Sequence, residues 1–174
     1  MHVIAPPRRL ALAPLLVLCS CGVPETSDPP IEPPATAHWM ADVFEDGRDV
    51  PLGRMLLPGA FNSTSYACAE ENGISPDAPV PVLALWDAEP ADPEINHRER
   101  IVNWSKTQGR SLAEQLEDGV RFVELNLTVK DGALRTWHSV YGVPVGDVLD
   151  DVVAFSVAWP HEVVVLTFGL SVGE

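Results

Sequence analysis

The sequence predicts an α/β domain in which a parallel sheet or barrel is covered by helices. Helical and strand patterns alternate from Ser111 onward, and alternation of this kind is typical of parallel sheets with crossover helices. In addition, Val163–Phe168 is a continuous apolar run, the pattern of a strand buried on both faces of such a sheet. These two observations set the fold class.

The first part of the domain contains weaker signals. Trp39–Phe44 predicts a short amphipathic helix, and Met55–Leu57 predicts a short buried strand that Pro58 and Gly59 end. Ala67–Asn96 is rich in Pro, Asp and Glu, so we expect an irregular loop with a helical turn, typical of functional insertions.

The sequence predicts that a helix begins at Ser111. Ser111 and Glu114 form a capping box, in which Ser111 caps the first turn and Glu114 reaches back. Leu112 and Leu116 share one helical face, and Gly119 ends the helix.

The segment Val120–Val129 alternates as a strand, and Lys130–Gly132 turns the chain into a second strand, Ala133–His138. One face of the first strand carries Val120, Phe122, Glu124, Asn126 and Thr128. The other face carries Arg121, Val123, Leu125, Leu127 and Val129. Glu124 and Asn126 therefore point the same way.

A further helix precedes the apolar strand. Asp147 is the predicted N-cap, and Pro160 stops the helix. Its predicted buried stripe consists of Val148, Leu149, Val152, Phe155 and Trp159.

Residues 1–21 read as a lipoprotein signal peptide. A basic start with Arg8 and Arg9 precedes the apolar run Leu10–Leu18, which is too short to span a bilayer. The following Leu18-Cys19-Ser20-Cys21 resembles the lipobox of bacterial lipoproteins, with Cys21 as the lipidated residue. The alternative is an ordinary secretory signal with incidental cysteines. We expect a lipid-anchored protein of the bacterial cell envelope, periplasmic or surface-exposed.

Residues 22–37 form a Pro-rich linker, and residues 38–174 form the domain. Removal of the signal takes Arg8 and Arg9, so 9 basic residues face 25 acidic ones, a net charge of −16. This charge argues against nucleic acid as a partner and against electrostatic docking on anionic lipid. Cys68 is expected to be a small buried residue, with an intermolecular disulfide as the alternative.

Five segments carry a resemblance to a known family. In chain order they are Leu57–Ser63, Trp104–Gln108, Leu112–Asn126, Trp137–Tyr141 and Trp159–Leu166. Together they resemble the X domain of phosphatidylinositol-specific phospholipases C, over roughly residues 39–169. The resemblance implies a distorted TIM-type barrel with its site at the carboxyl ends of the strands. It also implies cleavage of the phosphodiester of an inositol phospholipid, with one histidine as base and another as acid.

Two positions of this sequence correspond to those histidines. Phe61 occupies the position of the first, and a phenyl ring can neither accept nor donate a proton. His138 matches the second, which makes it the candidate general acid. Each residue also has a simpler interpretation: Phe61 as a core aromatic, and His138 as a hydrogen-bonded structural imidazole.

The resemblance further implies a polar environment for the phosphate. Asn62 matches a phosphate- or calcium-binding position, and Glu124, a candidate catalytic residue, matches the acidic residue of a family motif. Asn126, a candidate substrate-binding residue, lies where that motif has Arg or Asp and is neutral. In a calcium-dependent member, Asn62, Glu124 and Asn126 would be the metal ligands, although Gly169 falls where such members carry a carboxylate. The cofactor expectation is therefore either none or Ca²⁺. Asn62 as a turn residue, and a structural ion pair between Glu124 and Arg121 or Arg135, are the alternatives.

The sequence thus predicts a phosphoric diester hydrolase acting on inositol phospholipids, weak or inactive because of Phe61. The alternative is a non-catalytic lipoprotein that binds an inositol or sugar phosphate; a decayed product that does not fold alone is a third. Residues 38–174 are fewer than the about 250 residues of a complete barrel. We expect the first half of a barrel, explained by truncation of the chain, or else by pairing with a separate second half or another copy.

Overall fold

Five helices and five strands make up the part of the chain that the structure, a computed structural model, describes: residues 36–44 and 50–171. The helices are α1 Trp39–Val43, α2 Val80–Trp86, α3 His97–Ser105, α4 Leu112–Glu117 and α5 Val145–Ala158. The strands are β1 Gly59–Ala60, β2 Phe122–Lys130, β3 Ala133–His138, β4 Val140–Pro144 and β5 Val165–Leu170. None of the helices in these ranges is both long and apolar enough to cross a membrane.

The central strand of the sheet is β2. β1 pairs with its start in parallel, β5 runs parallel to it along Phe122–Leu127, and β3 is antiparallel to its second half. Leu127 pairs with both Thr136 and Leu170, so β3 and β5 lie on opposite edges of β2. The parallel strands β1, β2 and β5 therefore stand side by side in chain order, and the hairpin of β3 and β4 extends one edge. The expected mixed α/β architecture is present.

One face of β2 forms the core against two crossover helices. Val123, Leu125 and Leu127 are at most 6% exposed and pack against α4 and α5. Each such side chain contributes roughly 1.5–3 kcal/mol by leaving water. A second apolar cluster, under α2 and α3, consists of Cys68, Trp86, Ile101, Val102 and Val140. The alternation of β2 is as predicted, so Glu124 and Asn126 lie on its other face, away from this core.

The start and end of α4 confirm the sequence prediction. Ser111 Oγ accepts the N–H of Glu114, and the Glu114 carboxylate accepts the N–H of Ser111 at 2.8 Å. The side-chain hydrogen bond from Ser111 lowers the pKa of Glu114. Gly119 has φ +99°, a conformation that a side chain disfavours.

A buried ion pair lies next to the start of β2 and β5. Arg121 is fully buried, and its Nη2 lies 2.7 Å from the Glu162 carboxylate. The same guanidinium donates to the carbonyls of Leu116, Val120 and Ala37. Ala37, which the sequence assigned to the linker, thereby contacts the domain. Such a pair requires every donor to be satisfied, since a buried charge without partners is costly.

Several predicted boundaries are wrong in the first part of the chain. Met55–Leu57 is not a buried strand: Leu56 is 95% exposed, and the strand begins only at Gly59. Ala67–Asn96 contains a complete helix, α2, rather than a single turn. The sequence reasoning also missed α3 and β4. Their apolar residues pack together in the second cluster, and neither segment shows this packing by its own sequence pattern.

Two predictions near α5 are also wrong. The helix begins at Val145, after Pro144, so Asp147 lies within the first turn and is not the N-cap. Leu149 is 43% exposed and does not belong to the buried stripe. Trp159 provides the C-cap before Pro160, as expected for a proline that stops a helix.

The strand β5 is parallel, as predicted, but it is not buried on both faces. Leu166 packs against the core formed with α4 and α5. Phe168 and Leu170 extend beyond this core and are 54% and 61% exposed. The apolar run identified a parallel strand correctly, whereas its burial depends on which elements cover it.

Candidate active site at the ends of β1, β2 and β3

Three of the candidate residues meet where β1 ends beside β2. The backbone N–H of Asn62 donates to Glu124 Oε2 at 2.8 Å. Asn126 Nδ2 donates to Asn62 Oδ1 at 2.7 Å. Asn62 is 3% exposed and has φ +48°, a left-handed conformation that asparagine tolerates better than most residues. Asn62 is thus a turn residue and a member of the polar cluster at the same time.

Ser63 fixes this turn to β2. Its N–H donates to the carbonyl of Glu124 at 3.0 Å, and its Oγ accepts the N–H of Glu124 at 3.2 Å. Gln115 of α4 donates to the carbonyl of Ser63 at 2.7 Å from a buried position. The sequence reasoning missed both positioning residues, although a glutamine between the apolar positions Leu112 and Leu116 of α4 was a usable signal.

Gly169 borders the same cluster from β5. It is the register partner of Asn126, and a Cβ built on it would lie 2.4 Å from Asn126 Oδ1. The Asn126 amide therefore occupies the space that a side chain at position 169 would need. On the other side, Asn62 Nδ2 is buried and has no hydrogen-bond partner among residues 36–44 and 50–171. An unpaired buried donor is costly, and a ligand acceptor could satisfy it.

His138 stands at the end of β3, and a backbone carbonyl orients it. Its Nδ1 lies 2.8 Å from the carbonyl oxygen of Ser105, the last residue of α3. Because a carbonyl only accepts, Nδ1 carries the proton, and Nε2 of the neutral ring is left as the acceptor. The alternative of a hydrogen-bonded imidazole and the site role are therefore both compatible with this geometry.

The segment that follows α3 connects His138 to the turn after β1. Ser105 binds His138, whereas Gln108 Nε2 donates to the carbonyl of Phe61 at 2.8 Å. Thr107 Oγ1 lies 2.9 Å from Ser65 Oγ, one turn further along the same loop. These bonds hold Phe61 and His138 to the same short segment. Its positioning role was not predicted, although the segment belongs to the motif Trp104–Gln108.

Phe61 is not a core aromatic, so that interpretation is wrong. Its side chain is 65% exposed, while its carbonyl is held by Gln108. The exposure follows from its neighbours, because Asn62 and Ser63 turn inward to β2 and leave position 61 outside. The ring offers an apolar surface next to the polar cluster and no proton-transfer group.

The structural ion pair considered for Glu124 is also wrong. Arg121 pairs with Glu162, and Arg135 donates to the carbonyl of Gly142 at 2.7 Å. Arg121 lies on the opposite face of β2, as the alternation predicts. The hydrogen bonds of Glu124 go to the turn at Asn62 instead.

Cys68 is a buried, free thiol next to His138, in agreement with its predicted packing role. Burial raises the pKa of the thiol to about 11, which the nearby backbone of His138 and the positive charge of Lys106 only partly offset. A thiol of this kind is protonated at neutral pH and is a poor nucleophile.

The residues at this site do not fit a calcium ion. Ca²⁺ takes about 6–8 oxygen ligands, several of them carboxylates. Glu124 is the one carboxylate in the cluster, and the oxygen of Asn62 already accepts a hydrogen bond from Asn126. Across residues 36–44 and 50–171, no group of three His, Cys, Asp or Glu side chains is arranged for a metal.

The fold is that of a phospholipase C-like α/β protein. The solved phosphatidylinositol-specific phospholipase C of Staphylococcus aureus superposes with a TM-score of 0.53 at 23% identity, over 79% of this chain and 36% of that one. At this identity the match shows the fold alone. No protein-family model matches the chain.

The sequence comparison is more specific. The mouse PI-PLC X domain-containing protein 2 is 31% identical over 137 residues, 76% of this chain and 38% of the mouse protein. The human protein of the same description is 28% identical over 137 residues, 76% of this chain and 43% of its length. The family resemblance seen in the sequence is confirmed: the chain is related to the PI-PLC X domain-containing proteins. It spans less than half the length of these relatives.

Proposed function

We propose that the chain is a phosphoric diester hydrolase of the phosphatidylinositol-specific phospholipase C type, weak or inactive towards inositol phospholipids. The observation that carries the proposal is the cluster of Asn62, Glu124 and Asn126, joined to His138 through the segment after α3. Hydrogen bonds hold each of these polar side chains in place, so a ligand would meet preorganised groups.

In this reaction His138 is the general acid. With Nδ1–H bound to the carbonyl of Ser105, the imidazolium form carries its second proton on Nε2 and gives it to the leaving alkoxide oxygen of the diacylglycerol, while the proton of the attacking hydroxyl passes to water. Asn62 Nδ2 would donate to a phosphoryl oxygen, because it has no partner within the part of the chain that the structure describes. Glu124 holds the turn that positions this donor.

Phe61 explains the low activity that we propose. A single acid–base group is worth about 10²–10⁴-fold in rate, and groups that work as a unit lose most of that benefit together. With a phenyl ring at position 61, the attacking inositol hydroxyl has no base at that position. Since the Phe61 side chain is largely exposed, a histidine there would be tolerated by the fold.

The direct test is hydrolysis of phosphatidylinositol vesicles by the full chain and by the variants Phe61→His and His138→Ala. We expect Phe61→His to raise the rate by about 10²-fold or more, and His138→Ala to abolish the gain in the double variant. EDTA should leave the rate unchanged. A Phe61→His variant that is folded and no faster than the parent would contradict the proposal.

The alternative function is binding of an inositol or sugar phosphate without turnover. The unpaired Asn62 donor, adjacent to an exposed aromatic ring, favours it. It predicts calorimetric binding of myo-inositol 1-phosphate that His138→Ala does not weaken and that Asn62→Ala abolishes. Turnover of phosphatidylinositol by the parent chain would exclude it.

We propose further that the described strands form the first half of a TIM-type barrel. The parallel order of β1, β2 and β5 is that of a β/α barrel, and the outer edge of β5 ends in the exposed Phe168 and Leu170. A second barrel half or another copy of the chain would cover these residues. Light scattering should give a mass above 18.9 kDa if copies pair; a monomer would leave a separate half as the partner.

We also propose that Cys21, which lies outside the described residues, carries a lipid. A lipid at Cys21 would hold the domain at the cell envelope. Metabolic labelling with palmitate tests it: label should be lost in Cys21→Ala and retained in the matched variant Cys19→Ala. Loss of label in the Cys19 variant alone would assign the anchor to the other cysteine.

A further inference from the structure

The proposed site lacks a positive charge of its own. Phosphoryl transfer depends on cations that offset the charge on the phosphoryl oxygens. Here Glu124 is negative in the ionised state, and Asn62 and Asn126 are neutral. An anionic ligand would therefore meet a carboxylate without compensation, unless another element supplies a cation.

Most of the positively charged side chains in the described residues already bind other groups. Arg98, Arg110 and Arg121 form ion pairs with acidic side chains. Lys130 lies over the ring of Tyr141, and Arg135 binds a backbone carbonyl.

Arg54 lies in a segment next to the start of β2 and β5. It follows Leu52 and Gly53, which line a surface cavity together with Phe122 and Val165, the first residues of β2 and β5. The candidate site lies towards the other end of these strands. Arg54 is therefore not available to a phosphate bound there.

Arg100 is on α3 but faces away from the site. It precedes Ser105 by five positions, which is about 7.5 Å along the helix and about 140° around it. Ser105 belongs to the buried face of α3, and Arg100 is exposed. Of the described cations, this leaves Lys106.

Lys106 lies in the middle of the segment that holds both ends of the site. The residue before it binds His138, and the residue after it contacts the loop of Phe61 and Ser65. Lys106 is exposed, and its side chain makes no ion pair or hydrogen bond with the rest of residues 50–171. Its positive charge lowers the pKa of the Cys68 thiol, which is adjacent to the backbone of His138.

We propose that Lys106 is the cation that binds the phosphate of the ligand in this chain, acting from the α3–α4 segment in place of a charge on β2. The inference rests on the proposed function. A lysine on a flexible stem acts as a point charge, so it binds phosphate without the fixed geometry of an arginine. Because Ser105, the preceding residue, binds His138, the lysine side chain starts next to the group that would act on the phosphodiester.

The experiment is calorimetric titration of the full chain with myo-inositol 1-phosphate and, separately, with uncharged myo-inositol. The variants are Lys106→Met, Lys106→Arg and the matched control Arg100→Met, which removes an equal charge from the same region. Thermal unfolding checks that each variant is folded.

We expect Lys106→Met to weaken myo-inositol 1-phosphate binding about tenfold or more, as for loss of a charge-assisted hydrogen bond. Uncharged myo-inositol should bind equally to the parent and this variant. Lys106→Arg should retain affinity, Arg100→Met should equal the parent, and added salt should weaken the parent more steeply than Lys106→Met.

The outcomes separate this inference from the function on which it rests. If the parent binds myo-inositol 1-phosphate and Lys106→Met binds it equally well, the role of Lys106 is overturned while the proposed function stands. If Arg100→Met weakens binding as much as Lys106→Met, the effect is one of net charge, and the specific role is again overturned. A parent chain that neither binds the phosphate nor hydrolyses phosphatidylinositol overturns both.

Discussion

Substitution of Gly169 by alanine tests whether the amide cluster is a coupled unit. The added Cβ would lie 2.4 Å from Asn126 Oδ1, so the Asn126 amide must move. Movement breaks its hydrogen bond to Asn62 and leaves the buried Asn62 oxygen without a donor, at a cost of about 1–3 kcal/mol. Alanine regains about 0.5–1 kcal/mol over glycine within a strand. The expected net loss of unfolding free energy is about 1 kcal/mol.

A double-mutant cycle measures this coupling. Urea unfolding followed by circular dichroism would be compared for the parent, Gly169→Ala, Asn126→Ala and the double variant. Once Asn126 is alanine, no Oδ1 opposes the new Cβ, so Gly169→Ala should be neutral or slightly stabilising in that background. Gly109→Ala is the matched control, because a Cβ at Gly109 meets nothing within 4 Å.

The result that would refute the reasoning is an equal effect of Gly169→Ala in both backgrounds. Equal effects would mean that the Asn126 amide does not occupy the space beside Gly169. The connection between β5 and the polar cluster would then be lost, and with it the assignment of position 169 to the site.

Three further predictions concern stability. Glu162→Gln should lower the unfolding free energy by about 3–5 kcal/mol, because it leaves the guanidinium of Arg121 buried without its counter-charge; a loss below about 1 kcal/mol in urea unfolding would contradict this. Stability should fall by roughly 1 kcal/mol between pH 8 and pH 10 through Cys68, whose pKa is raised from 9.0 to about 11, since the unfolded thiol releases its proton first as pH rises; Cys68→Ala should remove this part of the pH dependence, and an unchanged slope would refute it. Ser111→Ala should cost about 0.5–2 kcal/mol through loss of the cap of α4, whereas an exposed Ala113→Ser change on the same helix should cost less.

Local signals in the sequence were sufficient for the elements around the site. The capping box at Ser111 and the alternation of β2 involve residues close together in the chain, so their chemistry can be read directly. The same alternation placed Glu124 and Asn126 on one face, opposite to Arg121. The family resemblance then identified Asn62 and His138, both of which lie at strand ends in the structure.

Burial was the property that the sequence predicted least well. Phe61 and Phe168 are aromatic and were expected inside, yet both are largely exposed. Conversely, Arg121 is charged and fully buried, because Glu162, which is 41 residues away in sequence, and four backbone carbonyls bind it. Exposure depends on which distant segments cover a residue, and a local pattern does not contain that information.

By itself, the sequence determined the α/β class, the family resemblance and the polar face of β2, and it predicted that Phe61 stands in the place of an imidazole. Only the tertiary structure decided that Asn62, Asn126 and Gly169 share one site, that Ser105 orients His138, and that Lys106 lies between its two halves. The physical reason is that helix caps and strand alternation arise from neighbours along the chain. Hydrogen bonds between residues 33 to 64 positions apart exist only after the strands have paired.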